Sequence, residues 1–295
     1  MCLLNLTLGV VILNFRDYQG TIKCVEGFLK QDIDLHIVVV DNNSPDESFV
    51  KLLERFSSQA NITILQSGLN GGYAFGNNVG VRYLETNLDI EYIVISNNDV
   101  SFDDDSLLSN WYKSHTSLDD VGVSSPVMLV GGKRTPYSSW KLPTLIDDIK
   151  SSSIILEKIF GDNKCYHQNK IEEIQSVDCL PGSLFMISTS LLRSVGYLDE
   201  GTFLYLEECI LTFKLKQQKQ KVNYLLNDLT YEHYYSKTIS SLNTRKQMRD
   251  IHFNSLLYYS INYRKDSRVS LLILILSFIF GTLVSLIRKL YKDKF

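Results

Sequence analysis

Polar residues able to do chemistry stand directly behind apolar runs at several points of this chain. In Ile93-Val94-Ile95-Ser96-Asn97-Asn98-Asp99 a β-branched run empties into two amides and a carboxylate. Residues 36–40 run in the same way into Asp41-Asn42-Asn43-Ser44, residues 62–65 lead to Asn70-Gly71-Gly72, and residues 10–13 end at Asn14. Farther along come an acidic pair, Glu207-Glu208, and a lone His233 among tyrosines. Amides and carboxylates hydrogen-bond hydroxyls and ring N–H groups. Carboxylate oxygens also take hard divalent cations, and a placed carboxylate can remove a proton. The set points to a crevice for a polar, hydroxyl-rich ligand.

The elements needed to position these groups are legible. Continuous β-branched runs mark buried parallel strands, and ligands of open α/β sheets gather outside the strands' carboxyl ends. Strands at 10–13, 36–40, 62–65 and 92–96 alternate with helical patterns at 18–30, 46–56, 74–86 and 104–116. This βαβ alternation predicts a Rossmann-like, mostly parallel α/β sheet with helices on both faces. Ser44 and Pro45 read as N-cap and first residue of the second helix. After 121–130 the pattern lapses. Residues 131–176 read as a long polar loop with one short helix at 154–160, and loops of such length are usually functional. A second ordered block covers 177–233, and a basic helical stretch at 244–264 leads to an apolar tail.

Composition narrows the class. With 295 residues, 44% hydrophobic, and a net charge of -3, the chain can bury a large core and carries no nucleic-acid footprint. The five cysteines (Cys2, Cys24, Cys165, Cys179, Cys209) are scattered and form no Cys-x-x-Cys pair, which fits a reducing compartment without a disulfide framework. The N-terminal run lacks a basic residue before Arg16 and reads as a first strand rather than a signal peptide. No Gly-x-Gly-x-x-Gly follows the first strand, and neither a phosphate-binding loop nor a Gly-x-Ser-x-Gly elbow occurs. Dehydrogenase, P-loop and hydrolase readings therefore lose their main support.

The tail is uncharged over 269–287, with Arg264, Lys265 and Arg268 before it and Arg288, Lys289, Lys292 and Lys294 after it. At 1.5 Å per residue this length roughly matches a bilayer's hydrocarbon core. Ser277, Gly281 and Ser285 form a small-residue face suited to close helix packing. The tail reads as a membrane-associated or transmembrane helix, spanning or lying in the interface; a buried helix of a soluble domain is the alternative.

The order of these motifs resembles the inverting glycosyltransferases of family 2, and among them the rhamnosyltransferase-like members of bacterial capsule and O-antigen pathways. Asn14, Asp41-Asn42-Asn43-Ser44-Pro45-Asp46, Asn70-Gly71-Gly72-Tyr73-Ala74-Phe75-Gly76-Asn77-Asn78 and Asn97-Asn98-Asp99 carry the likeness in the first half. Pro181-Gly182-Ser183, Gly196-Tyr197-Leu198-Asp199-Glu200, Tyr205-Leu206-Glu207-Glu208, His233 and Ser236 continue it. The resemblance implies a GT-A type fold over 1–240, with a nucleotide-sugar-binding half (1–120) and an acceptor and catalytic half (177–240). A basic helical linker (241–268) and the tail helix (269–287) follow. It implies that Asp41 hydrogen-bonds the nucleotide base, although a turn role alone would also suit it. Asn14, Asn43, Asn70, Gly71, Gly72, Asn77, Asn97 and Asn98 would line the nucleotide sugar, the glycines letting backbone approach the ligand.

By the same resemblance Asp99 would bind Mg²⁺ or Mn²⁺ bridging the diphosphate, with His233 as a further ligand or, alternatively, a structural histidine. Asn97 replaces the first Asp of the family's Asp-x-Asp. Glu207-Glu208 stands where the family has Glu-Asp, so Glu208 is the implied base; Glu for Asp, and Ile210 at a usually acidic position, leave Glu207 open as well. A first-turn acidic pair could also simply complement a helix dipole over Glu207–Lys219. Gly182 would lie on the acceptor side, and Asp199 and Glu200 would line it as well or else hold the loop. The implied partners are a dTDP- or UDP-linked sugar, a lipid-linked saccharide acceptor and the cytoplasmic face of the cell membrane. A non-catalytic nucleotide-sugar-binding subunit and a nucleotidyltransferase are the competing readings.

Overall fold

The computed structural model describes residues 8–161, 172–234 and 245–292. Ser236, Cys2, Cys165, Lys294 and the start of the 241–268 linker lie outside the described residues. Strands β1 (Leu8–Asn14), β2 (Leu35–Asp41), β3 (Ile62–Gln66) and β4 (Tyr92–Asn97) pair in parallel in the order β3-β2-β1-β4. The side chains of β1, β2 and β4 are almost continuously buried because helices cover both faces, whereas β3 at the sheet edge is mostly half-buried. These helices are α1 (Tyr18–Phe28), α2 (Ser48–Phe56), α3 (Tyr73–Asn87) and α4 (Leu107–Thr116). The strand order reverses around β1, which puts the crevice outside the ends of β1 and β4. Register aligns Asn14 with Asp41 and Leu13 with Asn97, so the polar clusters converge there.

Beyond β4 the sheet is mixed. A two-residue strand β5 (Val100–Ser101) follows, then β6 (Val121–Val130), β7 (Lys133–Arg134) and β8 (Ile174–Val177). Strand β9 (Leu184–Ser188) wedges antiparallel between β4 and β6, and β10 (Val222–His233) lies parallel to β6 and antiparallel to β5. The all-parallel pattern thus belongs to the first half alone. The stretch expected to be loop with one helix holds two, α5 (Leu145–Ser151) and α6 (Ile154–Phe160). Thr144 and Asp147 make a reciprocal capping box on the first of them. Ser44 does not cap α2, which starts three residues beyond Pro45; the Ser44 hydroxyl is spent on Asp41 instead. Then come α7 (Thr189–Ser194) and α8 (Glu207–Lys219), the latter with the expected bounds. Helix α9 (Arg245–Tyr259) runs through a wide turn, Ser260–Arg264, into α10 (Arg268–Lys292).

Candidate functional site

The nucleotide half is organised by a buried amide network. Asn14 Nδ2 donates to Asp41 Oδ2 at 2.7 Å, and its Oδ1 accepts from Thr21 Oγ1 at 2.7 Å. Asp41 also accepts from the Ser44 amide at 2.9 Å and the Ser44 hydroxyl at 2.7 Å. Both residues are fully buried, so Asp41 displays here the turn role that stood beside its contact to a base. What the brace presents outward is Asn43, exposed and left-handed at φ 56, a conformation that asparagine tolerates.

Asn42, which sequence reasoning quoted without giving it a role, ties this loop to the glycine-rich one. Its Nδ2 donates to Asn70 Oδ1 at 3.0 Å and to the Gly72 carbonyl at 3.1 Å, and its Oδ1 accepts from Ser67 Oγ at 3.1 Å. Gly72 has φ 92, and a Cβ there would stand 2.1 Å from the Phe203 carbonyl oxygen. The Tyr73 amide donates to that same carbonyl at 3.0 Å. The glycine is therefore a close-approach point between the first half and the loop that leads to the acidic pair. Asn77 is buried inside α3, its Nδ2 donating to the Tyr73 carbonyl, and so is held away from the crevice surface.

At the end of β4, Asn98 Nδ2 donates to the Asp17 carbonyl and to Thr21 Oγ1, which anchors the turn on α1. Asp99 Oδ1 then lies 3.1 Å from His233 Nε2, each side chain 11% exposed. The strand pairing of β5 with β10 makes that meeting, setting His233 opposite Val100. A carboxylate oxygen and an imidazole nitrogen at this separation suit neighbouring ligands of one Mn²⁺- or Mg²⁺-like octahedral ion. Among the described residues no cluster of three or more His, Cys, Asp and Glu accompanies them.

The acidic pair opens α8 behind two successive left-handed residues, Tyr205 at φ 74 and Leu206 at φ 71. Neither is glycine, and each such conformation costs about 1–3 kcal/mol, strain of the kind that collects at functional sites. Glu208 is partly exposed, and its Oε1 accepts from the Gly182 amide at 3.1 Å. Tyr73 donates from its hydroxyl to the Gly182 carbonyl at 2.5 Å. One residue on, the Ser183 carbonyl accepts from the Asn97 amide at 2.8 Å. The dipeptide Gly182-Ser183 therefore links the end of β4, two residues before Asp99, to Glu208.

Glu207 differs from its neighbour. It is 3% exposed and lines, with Glu208, Leu211, Thr212 and Asn223, a small pocket of about 10 Å³, near the size of one water. Burial, reinforced by the Glu208 charge, pushes its carboxyl up to about 8. Burial raises Glu208 too, opposed by the backbone N–H groups of the helix start and of Gly182. Burial and the two carboxylates also raise the Tyr73 hydroxyl well above its usual range, so it remains a donor.

Two residues expected on the acceptor side are braces. Glu200 Oε1 accepts from Asn78 at 2.8 Å and from Arg82 at 3.3 Å, which turns the carboxylate toward α3. Asp199 accepts from the Gly201 amide at 2.8 Å and from the Tyr263 hydroxyl, with Lys214 Nζ 4.0 Å away. Burial would raise Asp199, but the hydrogen bonds from Tyr263, Gly201 and Tyr258 hold it below the usual carboxylate range.

This geometry defines a GT-A-like α/β fold, with a nucleotide crevice beside a carboxylate-bearing cleft. The chain belongs to glycosyl transferase family 2, whose profile matches residues 9–195. Over 219 residues it is 28% identical to the low-salt glycan biosynthesis hexosyltransferase Agl10 of Haloferax volcanii; that stretch is 73% of this chain and 63% of Agl10. The mannosyltransferase PcManGT from Pyrobaculum calidifontis, in complex with GDP-Man and Mn²⁺, superposes with a TM-score of 0.58 at 15% identity. The match covers 88% of this chain and 65% of that one. S. aureus TarS 1–349 in complex with UDP-GlcNAc gives 0.53 at 18% identity, covering 91% and 70%. At these identities the two structures share the fold.

Proposed function

We propose that the protein is an inverting, divalent-ion-dependent hexosyltransferase. It moves a sugar from a nucleoside diphosphate, dTDP- or UDP-linked, to a lipid-linked saccharide of a cell-surface polysaccharide. Rhamnose is the donor sugar we favour. The observation that carries the reading is the Gly182-Ser183 bridge, which ties Glu208 to the end of β4 two residues before the Asp99–His233 pair. Relatives that bind GDP-Man with Mn²⁺ and UDP-GlcNAc support the donor class, and the glycan-pathway relative supports the acceptor class.

In this reading Asp99 and His233 would hold a divalent ion, whose charge would offset that of the leaving diphosphate. Glu208, partly exposed and raised by burial, takes the acceptor hydroxyl's proton as that oxygen attacks the anomeric carbon from the far side. Glu207, its carboxyl raised to about 8, keeps its proton at neutral pH, so the negative charge of the pair sits on Glu208. The catalytic unit spans 1–240, with 241–268 leading to the apolar helix 269–287, which keeps the enzyme on the cytoplasmic membrane face. The test is transfer from radiolabelled dTDP- and UDP-sugars to membrane lipids with and without Mn²⁺. Ion-dependent label in the lipid fraction, lost in Asp99→Ala, supports the proposal. Donor binding without turnover on any acceptor would favour a non-catalytic subunit.

A further inference from the structure

We propose that α10 lies in the plane of a bilayer surface instead of crossing it, and that α6 beside it enters the same head-group boundary. The proposal deepens the membrane part of the reading above and rests on it for the identity of the acceptor.

The apolar stretch Arg268–Ile287 has the length and composition of a span, and 17% of it is buried in the fold. Its buried part is in the middle. Leu274 is fully buried and Ser277 is 9% exposed. Phe278 stacks on Phe253 of α9 at 3.8 Å, and the Arg249 guanidinium lies 4.7 Å over the Phe278 ring while donating to Thr282 Oγ1. The pairs 253–278 and 249–282 make α9 and α10 an antiparallel hairpin. Gly281 meets α5's end so closely that a Cβ would stand 1.9 Å from the Ser152 carbonyl oxygen. A spanning α10 would carry Arg249, Asp250 and the Ser152 backbone to mid-bilayer, where charges and open backbone are expensive.

Nor is the helix on a loose tether. Arg264 pairs with Asp148 of α5 and with Asp266, each at 2.6 Å, and Tyr263 donates to Asp199. Ser255 of α9 donates to the Leu204 carbonyl at 2.7 Å, immediately before the strained pair leading to Glu207. The apolar helix is therefore built onto the loop that presents the acidic residues.

The outward face says what covers it. Val269, Leu272, Leu276, Ile279, Leu283 and Leu286 fall on one stripe and are 48–67% exposed. The apolar face is wider than that stripe, because Ile273, Phe280 and Ile287 are also exposed. No charged residue occurs between 269 and 287, whereas a coiled-coil seam with a second copy is narrower and flanked by charges. Basic residues at 268, 288, 289 and 292 suit anionic head groups at both ends of the helix. Helix α6 touches α10 and exposes Ile155 and Ile159, one turn apart, at 42% and 66%. An acyl boundary accepts both helices; a single transmembrane anchor has no use for α6.

Flotation of the full chain with phosphatidylcholine vesicles, with and without phosphatidylglycerol, tests this. We expect binding that phosphatidylglycerol strengthens, with a C-terminal epitope open to protease outside the vesicles before detergent is added. Ile155→Asp/Ile159→Asp should weaken binding about tenfold or more while leaving calorimetric UDP-sugar binding at the wild-type value. An epitope protected until detergent is added overturns the in-plane arrangement. Wild-type flotation of the double variant removes α6 from the surface. A chain that ignores vesicles and sediments as a dimer assigns the face to a second copy. Wild-type protein that floats but binds no donor would instead count against the proposed function.

Discussion

Replacing Glu207 by Gln should make the protein more stable, and increasingly so as pH rises. Glu207 is 3% exposed, and its carboxyl sits at about 8 against an ordinary 4.5. Its Oε1 has no hydrogen-bond partner among the described residues. With the folded value raised, the native state keeps a proton that the unfolded chain releases above pH 4.5. The penalty is absent below that pH, grows as pH rises, and is complete above 8. Each unit of difference is about 1.36 kcal/mol, so at pH 7 the acid form costs roughly 3 kcal/mol relative to pH 4. The amide has the same shape and no proton to lose. Thermal unfolding of wild type and Glu207→Gln from pH 5 to 8 should show curves that diverge, by roughly 5 °C at the upper end. A constant offset across that range, or a variant that loses stability faster than wild type, would refute the argument that burial keeps this carboxyl protonated.

Three further outcomes follow from the same geometry. Asp99→Ala and His233→Ala should each abolish the Mn²⁺ enhancement of nucleoside-diphosphate binding in calorimetry, with folding intact by circular dichroism. Gly72→Ala should cost about 1–3 kcal/mol for the backbone alone, and more for its collision with the Phe203 carbonyl, read as a lower denaturant midpoint. Arg264→Met leaves the Asp148 carboxylate, 4% exposed, without its cation; a loss of about 3–5 kcal/mol is expected, with protease sensitivity appearing first around α5 and α10.

The first half of the fold was legible because its strands are buried on both faces and its helices are amphipathic, so periodicity alone places them. Asn14, Asp99 and Glu208 could be picked out because polar residues at strand ends and helix starts have few structural excuses. Strand β9 escaped notice because an antiparallel insertion between two distant strands leaves no local mark. Helix α5 did carry a signal in Thr144-x-x-Asp147, overlooked inside a polar stretch. Asn42 and Ser183 organise the cleft through contacts with residues far away in sequence, which no spacing reveals. For Glu200 the sequence leaves acceptor side and loop brace both open, and only the folded chain brings Asn78 and Arg82 onto its carboxylate. Composition gave the length and apolarity of α10, while its burial at mid-length depends on Gly281, Phe278 and their partners in the folded chain.

The role of Glu208 as base is decided by the transfer rate of Glu208→Gln at saturating donor and acceptor. A fall of roughly 10²–10⁴-fold with donor affinity unchanged is expected. Transfer at the wild-type rate would contradict it.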